Sequence, residues 1–365
     1  MTRTVDIEVS SAMTFGKNSG SPNMISDVAP VITIIVPVRN EERFIRNTLS
    51  QLVDQDYPSD QYEIIVVDGV SDDKTATIAE ECSRCWPSPK IRVLTNAKKL
   101  SSSARNIGVR AAAGRYLLII DGHVHIPTRS LLSDMAEVLK KGRFEILGRP
   151  QYLTPPGLTR FQEVVAGVRA SKIGHSGESH IYSAEERIVS PTSVAILYSH
   201  KIFPEIGYFD ETFDAAEDLE FNHRLDIAGY ECWISPKFEV TYYPRDRLRG
   251  LFKQMQRYGD GRARFYLKYP QRLRLNAVVP ALFLLTIAAL VIMSITLPLF
   301  ARLLFILLGA YAILAMYFGL QNCKKHWTTW IYILPVSLTI HLGLGWGLLK
   351  GAFLQIFRIE RRQAA

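Results

Sequence analysis

The run Arg115-Tyr116-Leu117-Leu118-Ile119-Ile120-Asp121-Gly122-His123 passes abruptly from apolar to ionisable residues. A continuous apolar stretch of this kind reads as a strand buried on both faces of a parallel sheet, and ligands of open α/β sheets sit beyond the carboxyl ends of such strands. An aspartate and a histidine separated by one glycine offer oxygen and nitrogen donors where a divalent cation can meet a diphosphate. The same residues also allow a plain strand that turns at Asp-Gly. His125 would share the face of His123 only if the strand continued, and the Asp-Gly turn makes it structural. A second acid, Asp68, closes the apolar run from Tyr62 to Val67. A third cluster, Glu217-Asp218, precedes Leu219, Asn222 and Leu225, whose spacing places both acids in the first turn of a helix, where the dipole alone favours them.

The elements that must position these residues are legible in order. Val31 to Val38 is a β-branched run interrupted by Pro37, followed by Arg39-Asn40-Glu41-Glu42 and an amphipathic helix through Phe44, Ile45, Leu49, Leu52 and Val53. The strand ending at Asp68 is followed by a helix from Asp73, as N-cap, to Cys82. Ile91 to Leu94 is a short strand, and Ser103 to Ala112 is a helix stopped by Gly114. Strand and helix alternate, so the fold class is α/β, a mostly parallel, doubly wound sheet with helices on both faces. From Phe144 to Tyr198 periodicity fades; Ile173 to Tyr182 has loop composition, suited equally to a lid or an idle surface loop.

The 365 residues carry a formal net charge of +8. Between Arg245 and Arg274 there are ten Lys/Arg and two Asp/Glu, so that one band holds the whole excess and the remainder balances. The band just precedes long apolar runs, which points to anionic lipid at a membrane surface rather than to nucleic acid, for which no motif is present. Four cysteines do not make a disulfide framework, and Cys82-Ser83-Arg84-Cys85 lacks a second pair for zinc, so reduced thiols in a cytoplasmic domain are expected. Residues 1–30 read as a flexible polar tail without a secretory signal.

Several ordered motifs resemble the family 2 glycosyltransferases, whose nucleotide-binding fold is called GT-A. They are Ile34-Ile35-Val36-Pro37-Val38-Arg39-Asn40-Glu41-Glu42, Val66-Val67-Asp68-Gly69-Val70-Ser71-Asp72-Asp73-Lys74-Thr75, Ala104-Arg105-Asn106-Ile107-Gly108, and the Asp121 segment. The likeness continues in Ala216-Glu217-Asp218-Leu219 with Arg224-Leu225 and Ala228-Gly229-Tyr230, and in Gln254-Met255-Gln256-Arg257-Tyr258, where the family has Gln-x-x-Arg-Trp. It covers Val31 to Tyr269 and is nearest to membrane-anchored members of bacterial exopolysaccharide assembly.

The resemblance implies roles. Asp68 accepts from a uracil imide, with Pro37, Arg39 and Glu41 along base and ribose. Arg105 holds the donor, and Asp121 faces the cation and diphosphate. Asp218 is the general base of an inverting displacement, supported by Glu217, with Asp210 and Asp214 solvated. Gln254 and Arg257 share one helical face, where Arg meets the diphosphate. Two departures stand out. Gly69 replaces a second acid, and His123 replaces the last aspartate of the metal motif, which suits Mn²⁺ better than Mg²⁺ and requires a deprotonated ring.

Leu248, Leu251, Phe252 and Met255 fall at helical spacing among Arg247, Arg249, Lys253 and Arg257, a basic amphipathic helix able to lie on a membrane. Three apolar runs follow: Ala277 to Phe300, Leu303 to Leu320 beyond Arg302, and Trp330 to Leu349, with Trp327, Trp330 and Trp346 as interface anchors. Three full spans would put Arg358, Arg361 and Arg362 outside, against the positive-inside tendency, so either the last segment is re-entrant or the rule yields.

The expected organisation is a tail (1–30), a GT-A domain (31–244), a basic interface segment (245–275), about three transmembrane segments (276–350) and a basic tail (351–365). The expected activity is inverting transfer from a nucleotide-sugar donor, UDP-linked by resemblance, to a lipid-linked or glycan acceptor at the cytoplasmic membrane face, with a divalent cation. A processive polysaccharide synthase and a non-catalytic nucleotide or glycan sensor are the competing readings. A dehydrogenase is disfavoured because no Gly-x-Gly-x-x-Gly follows the first strand.

Overall fold

The computed structural model describes residues 31–174, 185–323 and 329–363. The expectations for the tail at 1–30, for most of the loop at 173–182, and for Trp327 lie outside the described residues.

The β-branched runs form a parallel half-sheet. β1 (Ile32–Val38) lies between β2 (Tyr62–Asp68) and β4 (Tyr116–Ile119), with β3 (Lys90–Thr95) beyond β2, all parallel. The connecting helices are α1 (Ile45–Val53), α2 (Thr75–Cys85) and α3 (Ser101–Ala111). Alternate side chains divide the two cores. Ile32, Ile34 and Val36 pack with Leu49, Leu52 and Cys82 on one face, whereas Ile35, Ile65 and Val67 pack with Ala104 and Val109 on the other.

Beyond β4 the sheet is mixed. β5 (Val124–His125) leaves it, α4 (Leu131–Lys140) returns to the first core, and β6 (Ile146–Gly148), α5 (Arg160–Ala170), β7 (Arg187–Val189), β8 (Ala195–Ser199), α6 (Ile202–Ile206), α7 (Glu217–Ile227) and β9 (Cys232–Ile234) follow. β8 runs antiparallel to both β4 and β6, β9 is parallel to β6, and β7 is antiparallel to β9. β10 (Thr241–Tyr242) pairs with β5 in a separate ribbon that folds over the carboxyl end of β4.

Several boundaries differ from expectation by one to three residues, β3, α2 and α3 among them, and two differences have a clear physical cause. α2 starts at Thr75 rather than beside Asp73, because Asp73 Oδ1 accepts from the Thr75 amide and hydroxyl, 2.9 and 2.5 Å, while Oδ2 takes the Glu42 amide at 3.2 Å. The break between the first two apolar runs lies at 295–297, not at Arg302. Pro298, lacking an N–H, opens the next helix, and Arg302 falls inside it.

The chain ends in four long helices, α8 (Leu248–Lys268), α9 (Leu275–Ser294), α10 (Pro298–Asn322) and α11 (Thr329–Gln363). Three carry stretches long and apolar enough to cross a membrane, with mean hydropathies of 2.5 (α9), 2.3 (α10) and 1.5 (Thr329–Gln355 of α11). The apolar stripe of α8 faces protein rather than lipid: Leu251 and Met255 are buried in a third core with Val164, Val165 and Val168 of α5 and Ile333, Val336 and Ile340 of α11.

Candidate active site

Asp121 stands two residues past β4, and Gly122 behind it is required by packing. A Cβ there would stand 2.7 Å from Val38 Cγ1 and 3.3 Å from Glu41 Cγ. The close approach puts His123 Nδ1 2.9 Å from Glu41 Oε1. Burial alone would lower the His123 pKa, but the close contact and charge of Glu41, with Asp121 adding, raise it above the ordinary imidazole value.

A cavity of 520 Å³ opens above this point. It brings together Arg105, Asp121, His123, Glu217, Asp218, Gln254 and Arg257 from among the residues singled out in the sequence. Pro37, Arg39, Glu41 and Asp68 do not line it. They sit where β1 and β2 end, in a lace of hydrogen bonds joining the 40–42 turn to the 71–75 turn: Asn40 N to Ser71 Oγ (2.9 Å), Glu41 N to Thr75 Oγ1 (2.7 Å), Asp72 N to Asn40 Oδ1 (2.8 Å). Asp68 is 5% exposed and accepts from the Ser71 hydroxyl at 2.5 Å and amide at 3.1 Å. The Glu41–His123 contact joins that corner to the cavity. Gly69 leaves ordinary contact distances of 3.4 Å around a Cβ, so the missing acid is not a steric consequence.

Arg105, on α3, is the hub. Its Nη2 lies 3.3 Å from Glu217 Oε1, and its guanidinium stacks over the Phe209 ring at 5.5 Å. Burial opposes the Arg105 charge, yet Glu217 first, then Asp218 and Asp121, raise its pKa above the usual guanidinium value. Burial raises the Glu217 pKa, with Arg105 opposing and Asp218 adding. Ala216, in the left-handed region at φ 63°, turns the chain into α7 so that Glu217 points inward, while the exposed Asp218 accepts from the Leu219 amide at 2.8 Å.

α8 is clamped onto this turn. Arg257 Nη2 donates to Asp214 O at 2.9 Å and its Nε lies 3.6 Å from Asp214 Oδ2, while Arg264 donates to Thr212 O. Gly261 comes so near that a Cβ would stand 2.4 Å from Ala215 O. Gln254 and Arg257 therefore reach the same cavity as Glu217-Asp218, with Gln254 Nε2 3.4 Å from Tyr258 Oη. The solvated role expected for Asp210 is corrected here: it pairs with Lys268 at 2.6 Å and accepts from Thr212, because α8 lies across it. Asp214, its side chain 45% exposed, is solvated and also meets Arg257. Deeper in the joint, fully buried Glu220 gathers Arg224, Lys268 and Tyr269 at 3.1, 2.8 and 2.9 Å.

Arg149, which sequence reasoning missed, stands just past β6 and is 1% exposed. Its Nη2 donates to Tyr242 Oη at 2.5 Å, while Nε and Nη1 have no hydrogen-bond partner among the described residues. The Gly148-Arg149-Pro150 sequence reads as an ordinary turn, and the contact with Tyr242 of β10, 93 residues on, is not legible in it. Arg149, Arg169, Arg245 and Lys253 add four cations to the cavity wall. Among the described residues no three His, Cys, Asp or Glu form a metal cluster. That donor set fits a cation held jointly by Asp121 and substrate phosphate oxygens, the usual mode for Mg²⁺-like ions, rather than an all-protein cage. With Nδ1 on Glu41, His123 has only Nε2 to offer. Cys82 and Cys85 are free thiols.

Residues 33–203 match the family model described as glycosyl transferase family 2. The chain is 30% identical over 232 residues, 62% of its length and 71% of the relative's, to the dolichyl N-acetyl-alpha-D-glucosaminyl phosphate 3-beta-D-2,3-diacetamido-2,3-dideoxy-beta-D-glucuronosyltransferase of Methanococcus voltae. It is 30% identical over 249 residues, 68% of its length and 73% of the relative's, to a succinoglycan biosynthesis protein of Rhizobium meliloti (strain 1021). In fold it resembles a mannosyltransferase of Pyrobaculum calidifontis solved with GDP-Man and Mn²⁺, with a TM-score of 0.61 at 20% identity over 90% of this chain and 89% of the other. With Arg105, Asp121, Glu217-Asp218 and Gln254 with Arg257 converging on one cavity at the carboxyl edge of a GT-A sheet, these likenesses identify the chain as a member of glycosyltransferase family 2, a nucleotide-sugar-dependent transferase.

Proposed function

We propose that the chain moves a sugar, with inversion, from a nucleoside diphosphate donor to a hydroxyl of a lipid-linked or polysaccharide acceptor, its cavity facing the cytoplasmic side of the membrane. The observation that carries this reading is the convergence of Asp121, Arg105, Asp218 and Arg257 on one cavity from four separate elements. The relatives support the acceptor class, since one is named for a dolichyl-phosphate-linked sugar and another for an exopolysaccharide.

In this reading the nucleoside lies toward Arg39, Glu41 and Asp68, and the diphosphate toward Asp121 and Arg257. The acceptor oxygen attacks the anomeric carbon while Asp218 takes the hydroxyl proton, and the diphosphate leaves with the electron pair of the broken C–O bond. Asp218 suits this because it is exposed to the cavity, with the Leu219 amide steadying one oxygen. Glu217, held against Arg105, positions that guanidinium rather than moving protons. Arg105, Arg149 and Arg257 supply fixed positive charge where the leaving group becomes more anionic. Asp121 would hold a divalent cation that neutralises charge on the diphosphate oxygens, and His123 would join it through Nε2 on losing the proton that Glu41 favours.

The test is nucleoside diphosphate release by protein in lipid across a panel of nucleotide sugars, with lipid-linked acceptors and with Mn²⁺, Mg²⁺ or chelator. Metal-dependent release from one donor, stimulated by acceptor, is expected. Release that chelator leaves untouched would remove the cation, and nucleotide binding with no release from any donor–acceptor pair would favour the sensor reading.

A further inference from the structure

Like α9 and α10, α11 is long and apolar enough to cross a membrane, yet it is less apolar, with a mean hydropathy of 1.5 against 2.5 and 2.3, and it is packed differently. The apolar windows of α9 and α10 are 6% and 11% buried, whereas that of α11 is 39% buried. What covers α11 is the catalytic side of the molecule. Near its start, Tyr332 meets Phe161 of α5 edge-on at 5.7 Å, and Ile333 and Val336 join Val164, Val165 and Val168 of α5 in one core. Further along, Gly343, Gly347 and Gly351 face α8. Cβ atoms on these glycines would stand 2.8 Å from Met255 Cβ, 2.1 Å from Gln256 O and 2.7 Å from Asp260 Oδ1. Across the contact, a Cβ on Gly259 would lie 2.4 Å from Leu344 O. Backbones this close leave no room for a side chain between them.

Tyr332 and Gly351 are separated by about 19 residues, or about 28 Å of helix, roughly the thickness of the hydrocarbon core. A helix crossing the bilayer over that length would carry one end away from a domain that stays on one side. Here both ends touch that domain. The partner helix also forbids immersion alongside it, because α8 carries Lys253, Arg257, Arg262, Arg264 and Lys268 and lines the polar cavity. α9 and α10 have no such attachment at their shared turn: Ile295 and Leu297 are exposed, and Phe283 stacks on Tyr311 at 4.8 Å to close the hairpin.

We infer that α11 lies in the plane of the membrane, between the catalytic domain and the acyl chains of one leaflet, so that the chain crosses the bilayer twice, through α9 and α10, and not three times. The occupant of its outer face is lipid. Ile331, Trp346 and Phe353 are 63%, 50% and 61% exposed on the side turned from α8, and α9 and α10 touch the helix at its flank, through Pro280 against Gly345 and Tyr311 Oη 2.8 Å from His341 Nδ1. The lipid around the hairpin thus continues onto α11. Two crossings return Arg358, Arg361 and Arg362 to the side of the basic band, which satisfies the positive-inside tendency that three crossings violate. The arrangement also lays a membrane floor beneath α8, whose Gln254 and Arg257 line the cavity, as access for an acceptor anchored in the same leaflet requires. This last point rests on the transferase reading; the topology does not.

The test uses a membrane-impermeant maleimide on the full chain in sealed vesicles of known orientation. Native Cys85, exposed on α2, reports the catalytic side. In a Cys85→Ser background, Thr296→Cys reports the α9–α10 turn, Arg358→Cys the end of α11, and Trp346→Cys its outer face. Expected is labelling of Arg358→Cys from the Cys85 side, of Thr296→Cys from the opposite side, and of Trp346→Cys from neither side until detergent is added. Labelling of Arg358→Cys from the Thr296→Cys side overturns the inference. Labelling of Thr296→Cys from the Cys85 side would instead remove the hairpin crossing, and labelling of Trp346→Cys in intact vesicles would remove the lipid contact. None of these readouts depends on activity.

Discussion

Arg105 Nη2 stands 3.3 Å from Glu217 Oε1, with both side chains nearly enclosed at 11% and 6% exposure. The pair links α3, which arises from the parallel half of the sheet, to the first turn of α7, which arises from the mixed half. Breaking it leaves a buried carboxylate without its cation. Arg105→Met should lower kcat/KM about 100-fold, or about 2.7 kcal/mol of transition-state stabilisation, with the fold retained by circular dichroism. A variant within about threefold of wild type in kcat/KM would remove Arg105 from the donor site.

The two neighbouring acids should separate by behaviour. Asp218→Asn removes the proton acceptor alone and should cut kcat by about 10³ while donor affinity, measured by calorimetry, stays unchanged. Glu217→Gln should weaken donor binding as well, since it loosens Arg105. If Asp218→Asn turns over normally, the base assignment fails, and Glu217 becomes the candidate to test.

Arg149 sets function against stability. A buried guanidinium with two unsatisfied nitrogens costs the apo fold, and an anion in the cavity offsets that cost. Arg149→Met should therefore keep or raise Tm while lowering kcat/KM about 10- to 100-fold, about 1.4 to 2.7 kcal/mol. A fall in Tm with full activity would make the residue structural.

The parallel half of the fold could be read from the sequence because its strands lie in continuous apolar runs that close at Asp68 and, two residues past β4, at Asp121, where burial on both faces dictates composition. The mixed half could not. β6, β7 and β9 are three residues each, too short for any period to register. α7 carries polar residues inward, with Glu220, Asn222 and His223 buried, so its inner face looks like an outer one. Asp121, Glu217, Asp218 and Arg257 were visible because their spacing is local. Arg149 was not, because its contact with Tyr242 lies 93 residues on, and Ala216 betrays no left-handed backbone by type. The stripe of α8 was visible too, but a stripe states only that something apolar covers it, and here that is α11 and α5.

His223 makes the joint between α7 and α8 sensitive to acid. It is 1% exposed, its ring lies 5.3 Å from Phe265 and 4.6 Å from Tyr269, and neither nitrogen has a hydrogen-bond partner among the described residues. Burial, then Arg272, pulls its pKa below the ordinary value, with Asp226 and Glu220 opposing. The unfolded chain therefore binds a proton near pH 6.5 that the native chain refuses. Stability falls as pH drops below that value, and the loss ends only below the native pKa. Tm should decline as pH falls below about 7, and His223→Leu should flatten that part of the profile. An unchanged slope in the variant would assign the acid sensitivity to other groups.

Gly261 tests whether α8 holds the catalytic turn in place. A Cβ there would stand 2.4 Å from Ala215 O and 3.1 Å from Ala216 Cβ, against backbone that cannot yield without displacing Glu217 and Asp218. Gly261→Val should therefore push the turn and the helix apart, separating Arg257 from Asp214 and shifting the base relative to the acceptor. A displacement near 1 Å is enough to cost about 100-fold in kcat. Donor affinity should change less, because Asp68, Glu41 and Asp121 belong to elements that α8 does not carry. Gly309→Ala, at a position where a Cβ meets nothing within 4 Å, is the matched control and should leave activity unchanged. If Gly261→Val retains full kcat, the turn keeps its shape without α8, and the Arg257–Asp214 contact is incidental to catalysis.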